Sequence, residues 1–354
     1  MQNKNGKIRV LVVDDSALAR KLITTGLSQD PQIQVIGVAA TPEAAWEMLQ
    51  REHPDVITLD VEMPGMDGVT FLKKYMAQYP IPTVMVSSLT GRGKKITLDA
   101  LEAGAVDIVT KPRVGVVDGL PALMGDLCDR VKAAARVNVS RFARQAAPIQ
   151  HAALSIEDSH ALHETTDRVI AIGASAGGVA ALCRVIPAFP AAAPGIVVVQ
   201  HMPAGFTTSF AERLNSLSAM QVREAADGDR VRPGLVLLAP GGERHMQVVR
   251  SGGEYRVTLK PGDKVSGHRP SVDVLFQSVS QQVGRNAAAA ILTGMGDDGA
   301  VGLLAIRLAG GRTFAQDEQT SVVYGMPAAA WERGAAEEVV ALENVAGRLL
   351  KAVV

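Results

Sequence analysis

The sequence predicts an α/β protein with two domains, each built around a parallel β-sheet. The first observation is length, because a chain of 354 residues is long for a single hydrophobic core. The second is composition, since 47% hydrophobic and 20% charged residues are typical of a globular protein. The third is the alternation of short β-rich runs with helical stretches in both halves of the chain, which is typical of a parallel sheet with helices on both faces.

In the first third of the chain, five short apolar runs alternate with helical stretches. The predicted strands are residues 8–15, 33–40, 54–60, 82–88 and 105–112. The predicted helices are residues 16–29, 42–52 and 68–78, with a closing helix over 118–137. This order predicts a doubly wound, five-stranded parallel domain over residues 1–132.

The strand and helix pattern then fades and resumes. Residues 133–166 are mixed and polar and are predicted to be an interdomain linker. From Asp167 onward, new β-rich runs predict a second α/β domain with a parallel sheet over residues 167–354. Its candidate strands are residues 168–175, 195–201, 234–241, 255–262, 287–294 and 311–317.

Charge and cysteine content exclude several classes of function. Lys plus Arg equals Asp plus Glu at 36 each, so the charge balance favours neither nucleic acid nor an anionic membrane as a partner. Cys128 and Cys183 lie far apart, without metal-ligand spacing, and are predicted to be buried thiols in a reducing compartment. No apolar run approaches the roughly 18 residues needed to span a bilayer. We therefore expect a cytoplasmic protein that does not insert into membranes.

Polar residues at strand ends form a candidate site in the first domain. Asp14 and Asp15 end the first strand, Asp60 the third, Ser87 the fourth and Lys111 the fifth. The carboxyl ends of parallel strands meet along one edge, so these residues are expected to converge. Clustered carboxylates favour a hard cation such as Mg²⁺. An aspartate beside that metal can accept a phosphoryl group, whose charge the metal and the lysine would neutralise.

Four stretches in this region resemble a response-regulator receiver domain over about residues 7–130: VVDDSALAR, DVEMPGMDG, VMVSSLT and VTKP. The resemblance implies a flavodoxin-like fold with Asp60 as the phosphorylation site. It also implies Mg²⁺ held by Asp14, Asp15, Asp60 and the backbone carbonyl of Glu62. Ser87 would be the switch hydroxyl, Lys111 would contact the phosphoryl group, and Lys111–Pro112 would be a cis peptide.

The second domain carries the elements of a serine hydrolase. Ser175 lies in GASAGG at a predicted strand-to-helix turn, and these letters fit the G-x-S-x-G nucleophile pattern. His201 ends the next strand, and Asp298 lies in TGMGDDG after another. In a triad of these residues, histidine takes the serine proton while aspartate fixes its tautomer. The glycines at 294, 296 and 299 would leave backbone N–H groups free to face an oxyanion.

Three alternatives remain beside this interpretation. An α/β-hydrolase is disfavoured, because that fold orders its triad as serine, acid, histidine. Dinucleotide binding at the GASAGG turn is disfavoured by wrong glycine spacing and by Gln200-His201 at the end of the second strand, where an acid is expected. A DNA-binding output module would require a basic recognition helix, and no helix-turn-helix pattern is evident.

The phrases GASAGG, QHMP, LLAPGGERHM, HRPSVDVLF and TGMGDDG, in that order behind a receiver-like region, resemble the chemotaxis protein-glutamate methylesterase family, CheB. The resemblance implies hydrolysis of glutamate γ-methyl esters on chemoreceptors, with release of methanol, and deamidation of receptor glutamines. It maps the triad onto Ser175, His201 and Asp298 and the oxyanion donor onto the Met295 amide. Ala176 stands where many members have threonine.

The same resemblance sets the remaining expectations. His268 and Arg269 are candidates for the substrate cleft, His245 is expected to be a structural turn residue, and Asp297 an exposed neighbour of the acid. Methyl-accepting chemoreceptors would be the substrates and a CheA-type histidine kinase the phosphodonor. We expect a monomer that needs no cofactor for ester hydrolysis. We also hypothesise that the unphosphorylated receiver covers the cleft near Ser175.

Overall fold

A computed structural model of the chain describes residues 6–87, 90–111, 120–137, 139 and 168–353. The chain divides into two compact units, Met1–Ala146 and Ala147–Val354. Most of the predicted linker over 133–166 lies outside the described residues, and so does Pro112 of the predicted cis peptide. Both of these stay predictions.

The first unit is the five-stranded, doubly wound parallel sheet that the sequence predicts. Its strands are arranged in the order β2-β1-β3-β4-β5. They are β1 (Ile8–Val13), β2 (Ile33–Ala39), β3 (Val56–Asp60), β4 (Thr83–Ser87) and β5 (Asp107–Thr110). The helices are α1 (Ala17–Ser28), α2 (Pro42–Glu52), α3 (Gly68–Met76), α4 (Gly91–Glu102) and α5 (Leu120–Ala134). Helix α4 is the element of this unit that the sequence reading did not name.

Capping residues fix where these helices begin. Ser16, Thr41, Asp67 and Thr90 each precede a helix and accept a hydrogen bond from a backbone N–H in its first turn. Strands β3 and β4 are buried at every position, as expected inside a parallel sheet covered by helices, whereas β2 at the edge of the sheet has exposed positions. The polar side chains that directly follow the strands are thereby held at one edge of the sheet.

The second unit contains a seven-stranded parallel sheet with the strand order β15-β14-β13-β6-β7-β10-β8. The strands are β6 (Val169–Ala174), β7 (Gly195–Gln200), β8 (Gln221–Glu224), β10 (Leu235–Leu238), β13 (Ala287–Ile291), β14 (Arg312–Gln316) and β15 (Glu338–Val340). The helices are α6 (Gly178–Val185), α7 (Phe206–Leu217), α8 (Val272–Gln282), α9 (Ala300–Leu308), α10 (Met326–Glu332) and α11 (Leu342–Val353). The apolar strands β6, β7 and β13 lie next to one another and are fully buried.

A second, antiparallel sheet lies in the same unit. It consists of β9 (Arg230–Val231), β11 (Arg244–Ser251) and β12 (Glu254–Pro261), in the order β11-β12-β9. Residues 255–262 do form a strand as predicted, but that strand belongs to this sheet and not to the parallel one. The two-residue connection Gly252–Gly253 explains the difference, because it is too short for the crossover that a parallel neighbour needs.

None of the helices within the described residues is long and apolar enough to cross a bilayer.

Candidate active site

Three adjacent strands bring Ser175, His201 and Asp298 to one edge of the seven-stranded sheet. Ser175 directly follows β6, His201 directly follows β7, and Asp298 lies in the loop after β13. The paired positions Ala174 and Gln200 immediately precede the serine and the histidine. Neighbouring strands are about 4.8 Å apart, so residues at matching ends are within side-chain reach of each other. All three are buried, with 7%, 5% and 1% exposure respectively.

The turn after β6 fixes the backbone of Ser175. Its N–H donates to the carbonyl of Thr293 at 3.0 Å, and its carbonyl accepts from the N–H of Gly178 at 2.8 Å. Gly177 has a φ of +77°, which allows the strand to turn directly into α6. A Cβ at Gly294 would lie 2.8 Å from Cβ of Ser175, so only a glycine fits beside the serine. The glycines of GASAGG and TGMGDDG thus present one hydroxyl at a sharp turn.

The side chain of Gln200 connects the serine turn with the histidine strand. Its Nε2 donates to the carbonyl of Ser175 at 2.8 Å and to that of His201 at 3.1 Å. The N–H of His201 in turn donates to the carbonyl of Ala174 at 3.0 Å. These bonds hold the two candidate catalytic residues in a fixed backbone relationship.

The imidazole of His201 is oriented by Asp298. Nε2 of His201 lies 2.8 Å from Oδ2 of Asp298. Because an ionised carboxylate only accepts, Nε2 carries the proton and Nδ1 is the basic nitrogen. Nδ1 is buried and has no hydrogen-bond partner among the described residues, so the hydroxyl of Ser175 does not donate to it here. Catalytic hydrogen bonds often form only when substrate is bound.

The carboxylate of Asp298 lies at the N-terminus of α8. Its Oδ1 accepts from the hydroxyl of Ser271 at 2.7 Å and the N–H of Asp273 at 3.0 Å. Its Oδ2 accepts from the N–H of Val272 at 2.8 Å, in addition to His201. Burial opposes ionisation of Asp298, but these donors and His201 outweigh it and hold its pKa below the ordinary value. Asp298 is therefore an anion that can stabilise an imidazolium.

His268 lies against the candidate base. Its ring stacks on that of His201, with the centroids 3.7 Å apart and the planes 11° from parallel. The guanidinium of Arg269 instead donates to the carbonyls of Gly242 at 3.0 Å and Gly262 at 2.6 Å. Of the two predicted cleft residues, His268 lies beside the candidate base His201, and the side chain of Arg269 is hydrogen-bonded to neighbouring loops instead.

The predicted oxyanion donors lie in the loop after β13. The N–H of Gly294 donates to the carbonyl of Val323 at 3.1 Å, so the expectation that this glycine offers a free amide is wrong. No described residue accepts from the N–H of Met295, which follows the glycine that contacts Ser175. Met295 is thus an available oxyanion donor.

The predicted acidic cluster also assembles in the first unit. One oxygen from each of Asp14, Asp15 and Asp60 lies within 4.8 Å of the others, and the side chains of Asp14 and Asp60 are buried. Nζ of Lys111 lies 2.6 Å from Asp60 and 2.9 Å from Asp14. Burial raises the pKa of Asp60 to about 6, and the bond from Lys111 offsets this only in part. Buried carboxylate oxygens at this spacing fit a hard divalent cation.

The hydroxyl of Ser87, the predicted switch, is held by helix α4. The hydroxyl of Thr97 donates to the carbonyl of Gly93 at 2.6 Å and lies 2.7 Å from Oγ of Ser87, which can donate to it, and both side chains are fully buried. Glu62 donates its N–H to Oδ1 of Asp60 at 3.2 Å, while its carboxylate accepts from the hydroxyl of Thr90 at 3.1 Å. A displacement of Ser87 toward Asp60 would therefore break or strain its hydrogen bond to Thr97 of α4.

Two family models match the chain. Residues 170–349 match the CheB methylesterase model, and residues 10–115 match the response regulator receiver domain model. The chain belongs to the CheB methylesterase family. Ser175, His201 and Asp298 all lie within the residues that match the CheB methylesterase model. Because this match covers the second unit, a DNA-binding output module is excluded.

Individual relatives of this CheB family member are similar over nearly their whole length. The chain is 55% identical to a protein-glutamate methylesterase/protein-glutamine glutaminase of Syntrophotalea carbinolica, over 97% of each chain. It is 53% identical to a second protein of that description from Cereibacter sphaeroides, over 99% of this chain and 93% of the relative. The crystal structure of the Thermotoga maritima CheB methylesterase catalytic domain is 38% identical, with a TM-score of 0.51, over 52% of this chain and 98% of the other.

Sequence reasoning did not assign a role to Gln200, Ser271 or Thr97. Ser271 had a detectable signal, since a serine three residues before Val274, at the start of an apolar helical run, is a typical N-cap. The contacts of Gln200 and Thr97 depend on pairing between strands or between a strand and a helix, and no local pattern encodes them.

Proposed function

We propose that this chain is a protein-glutamate methylesterase that hydrolyses glutamate γ-methyl esters on chemoreceptors and releases methanol. We also propose that it deamidates receptor glutamines and that phosphorylation of Asp60 activates it, so that it serves adaptation in bacterial chemotaxis. Relatives with both activities in their names align over nearly the full chain, which supports the substrate class. The observation that carries the reaction type is the buried His201–Asp298 pair. Nδ1 of His201 has no hydrogen-bond partner among the described residues, and Ser175 and His201 directly follow two adjacent strands.

The proposed reaction is acyl transfer through Ser175. Nδ1 of His201 takes the hydroxyl proton while Oγ attacks the ester carbonyl carbon. The N–H of Met295 donates to the oxygen that becomes negative in the tetrahedral intermediate. As the C–O bond to the methoxy group breaks, the imidazolium returns its proton to that oxygen, and methanol leaves. Water, activated by the same nitrogen, then hydrolyses the acyl-enzyme to the free glutamate carboxyl and restores Ser175.

The same residues accommodate an amide substrate. A glutamine side chain presents the same carbonyl carbon with an NH₂ leaving group, which the imidazolium protonates so that ammonia departs. Ala176, which follows the nucleophile, contributes its backbone carbonyl as an acceptor for the hydroxyl of Thr293 at 2.9 Å. Its methyl side chain offers no hydroxyl to either substrate.

We propose that the first unit is the phosphorylated receiver. Asp14, Asp15 and Asp60, with the carbonyl of Glu62, would hold Mg²⁺, which when bound neutralises charge on the phosphoryl oxygens. The carboxylate of Asp60 is the acceptor for phosphate from a CheA-type histidine kinase, and Lys111 pairs with the added charge. Ser87 supplies the hydroxyl that follows the phosphoryl group.

The remaining proposals concern organisation and location. We place the receiver in residues 1–132, a linker in 133–166 and the catalytic domain in 167–354. The protein is proposed to act as a cytoplasmic monomer on the signalling helices of methyl-accepting receptors, without inserting into the membrane itself.

The test is methanol release from receptor-containing membranes whose glutamates carry radiolabelled methyl esters. The wild-type protein with acetyl phosphate and Mg²⁺ is expected to release volatile label, and Ser175→Ala is expected to release nearly none while folding normally. Asp297→Asn provides a control, because it changes the carboxylate next to Asp298 in the loop after β13, which pairs with Arg333 at the surface. Release that is unaffected by Ser175→Ala would overturn the proposal.

A further inference from the structure

A line of buried hydrogen bonds runs behind Asp298, away from His201. The hydroxyl of Ser271 donates to Oδ1 of Asp298 at 2.7 Å. The N–H of Ser271 donates to Nδ1 of His245 at 3.2 Å, and Nε2 of His245 lies 2.8 Å from the carbonyl of Asp263. His245, Ser271 and Asp298 are buried, with 4%, 0% and 1% exposure. None of these bonds touches the reacting atoms directly.

The partners fix the direction of every proton in this line. The carbonyl of Asp263 can only accept, so Nε2 of His245 carries the proton and Nδ1 accepts from Ser271. Oγ of Ser271 accepts from the N–H of Val274 at 3.4 Å as the N-cap of α8. Its own hydrogen is therefore directed away from the helix, toward Oδ1 of Asp298. The hydroxyl of Ser271 is therefore held in one orientation by its buried hydrogen bonds, whereas an exposed hydroxyl would exchange these partners for water.

We propose that Ser271 is a positioning residue for the catalytic acid and that His245 holds Ser271 in place, an inference that rests on the proposed function. Oδ1 of Asp298 does not contact His201, so the hydroxyl on it acts only through the carboxylate. By restraining Oδ1, Ser271 keeps Oδ2 directed at Nε2 of His201. The chain of bonds also connects strand β11, which carries His245, to the catalytic group.

Removing the hydroxyl has two separable consequences. The carboxylate of Asp298 becomes less restrained, so His201 spends less time aligned and kcat falls, while binding of the receptor is unaffected. The charge of Asp298 also loses one donor and holds the imidazolium form of His201 more tightly. The acid limb of the kcat/KM profile should then move to higher pH. The titratable group that faces His201 from a neighbouring loop is His268, whose ring stacks on it, and the carboxylates of Asp273 and Asp297 lie near Asp298. The substitution changes none of these groups.

The experiment compares Ser271→Ala with Ser278→Ala. Ser278 is a buried serine of the same helix, and its hydroxyl accepts from the N–H of Val248 at 2.9 Å without touching Asp298. Both substitutions remove a hydroxyl that joins α8 to a neighbouring segment. For Ser271→Ala we expect kcat for methanol release to fall roughly 10- to 100-fold at unchanged KM, because misplacement of a catalytic group costs about that much. The acid limb should shift only in this variant.

Two further variants keep the proposal falsifiable if Ser271→Ala does not fold. Ser271→Thr retains the hydroxyl and should recover most of the turnover with the normal pH profile. Ser271→Cys retains the size but offers only a weak S–H donor, and should lower kcat. Equal kcat and equal pH profiles for Ser271→Cys and Ser278→Ala would overturn the positioning role. Failure of the wild-type protein to release methanol through Ser175 would instead overturn the proposed function.

Discussion

Replacing Asp298 by asparagine tests whether Asp298, and not its neighbour Asp297, is the acid of the proposed triad. Each oxygen of Asp298 accepts a backbone N–H, Oδ1 that of Asp273 and Oδ2 that of Val272. An asparagine side chain carries an NH₂ group at one of these two positions, so it must oppose a backbone donor that cannot turn away. The result is an unsatisfied buried N–H, which costs about 1–3 kcal/mol of folding free energy.

The kinetic effect is larger than the stability effect. With NH₂ at the Oδ2 position, Nε2 of His201 must accept a hydrogen bond, so the imidazole proton moves to Nδ1. A protonated Nδ1 cannot take the hydroxyl proton of Ser175. With NH₂ at the Oδ1 position the tautomer is retained, but no negative charge faces the imidazolium. We therefore expect kcat to fall roughly 10³- to 10⁴-fold, a barrier increase of about 4–5 kcal/mol.

Asp297→Asn is the matched control. Its carboxylate is half-exposed and forms a surface ion pair with Arg333, and such pairs contribute less than about 1 kcal/mol. Its kcat should stay within about fivefold of the wild type. The assay is methanol release under saturating substrate, with folding verified by thermal unfolding. A larger loss for Asp297→Asn than for Asp298→Asn would refute the assignment of the acid.

Further variants test the roles of His268, Asp60 and the receiver. His268→Ala removes the ring stacked on His201 and should lower kcat up to about tenfold, whereas His268→Phe keeps the stacking and most of the activity; equal kcat values for both would contradict a stacking role. Asp60→Asn should abolish the response to acetyl phosphate with basal methanol release retained. Burial raises the pKa of Asp60 to about 6, so its protonated form favours folding and this stabilisation is lost as pH rises through 6. At pH 7 the ionised carboxylate opposes folding by up to about 3 kcal/mol, and Asp60→Asn should therefore raise the Tm of the receiver; a lower Tm would show that the bond to Lys111 dominates. Removal of residues 1–140 should raise basal methanol release without a phosphodonor, and no increase would refute the hypothesis that the receiver covers the cleft.

The positions of the strands that carry the candidate site could be predicted because their signal is local, whereas β8, β9, β11 and β15 were not predicted. Each of β6, β7 and β13 is an uninterrupted apolar run, and the residue or loop that follows carries Ser175, His201 or Asp298. Since parallel strands end at a common edge, strand order along the chain was enough to suggest that these side chains meet. The structure adds the specific adjacency, with β6 between the other two.

Helix α4 and the pairing of β12 had weaker local signals. The first turns of α4 (Gly91–Glu102) are rich in glycine and lysine. Its buried apolar side chains, Leu98, Ala100 and Leu101, lie in the second half of the helix. Residues 255–262 have the composition of a strand, but whether a strand joins a parallel or an antiparallel sheet depends on its connection. In this chain the two glycines at 252 and 253 decide it.

Contacts between distant residues could not be predicted. The bond from Ser271 to Asp298 spans 27 positions and that from Gln200 to Ser175 spans 25, and the stacking of His268 on His201 depends on the loop that follows β12. The expectation of a free amide at Gly294 failed for the same reason, because its acceptor Val323 lies in a distant loop. Such contacts arise from packing after the sheet has formed, and they determine the orientation of each catalytic group.

The most direct test of the account is the combined loss of the nucleophile and the base. Methanol release from methylated receptor membranes is measured for Ser175→Ala, His201→Ala and the double variant, each verified to be folded. If the two residues act as one unit, each single variant loses nearly all activity and the double variant is hardly slower than either. If the losses of the two single variants multiply in the double variant, Ser175 and His201 act independently and the proposed triad is wrong.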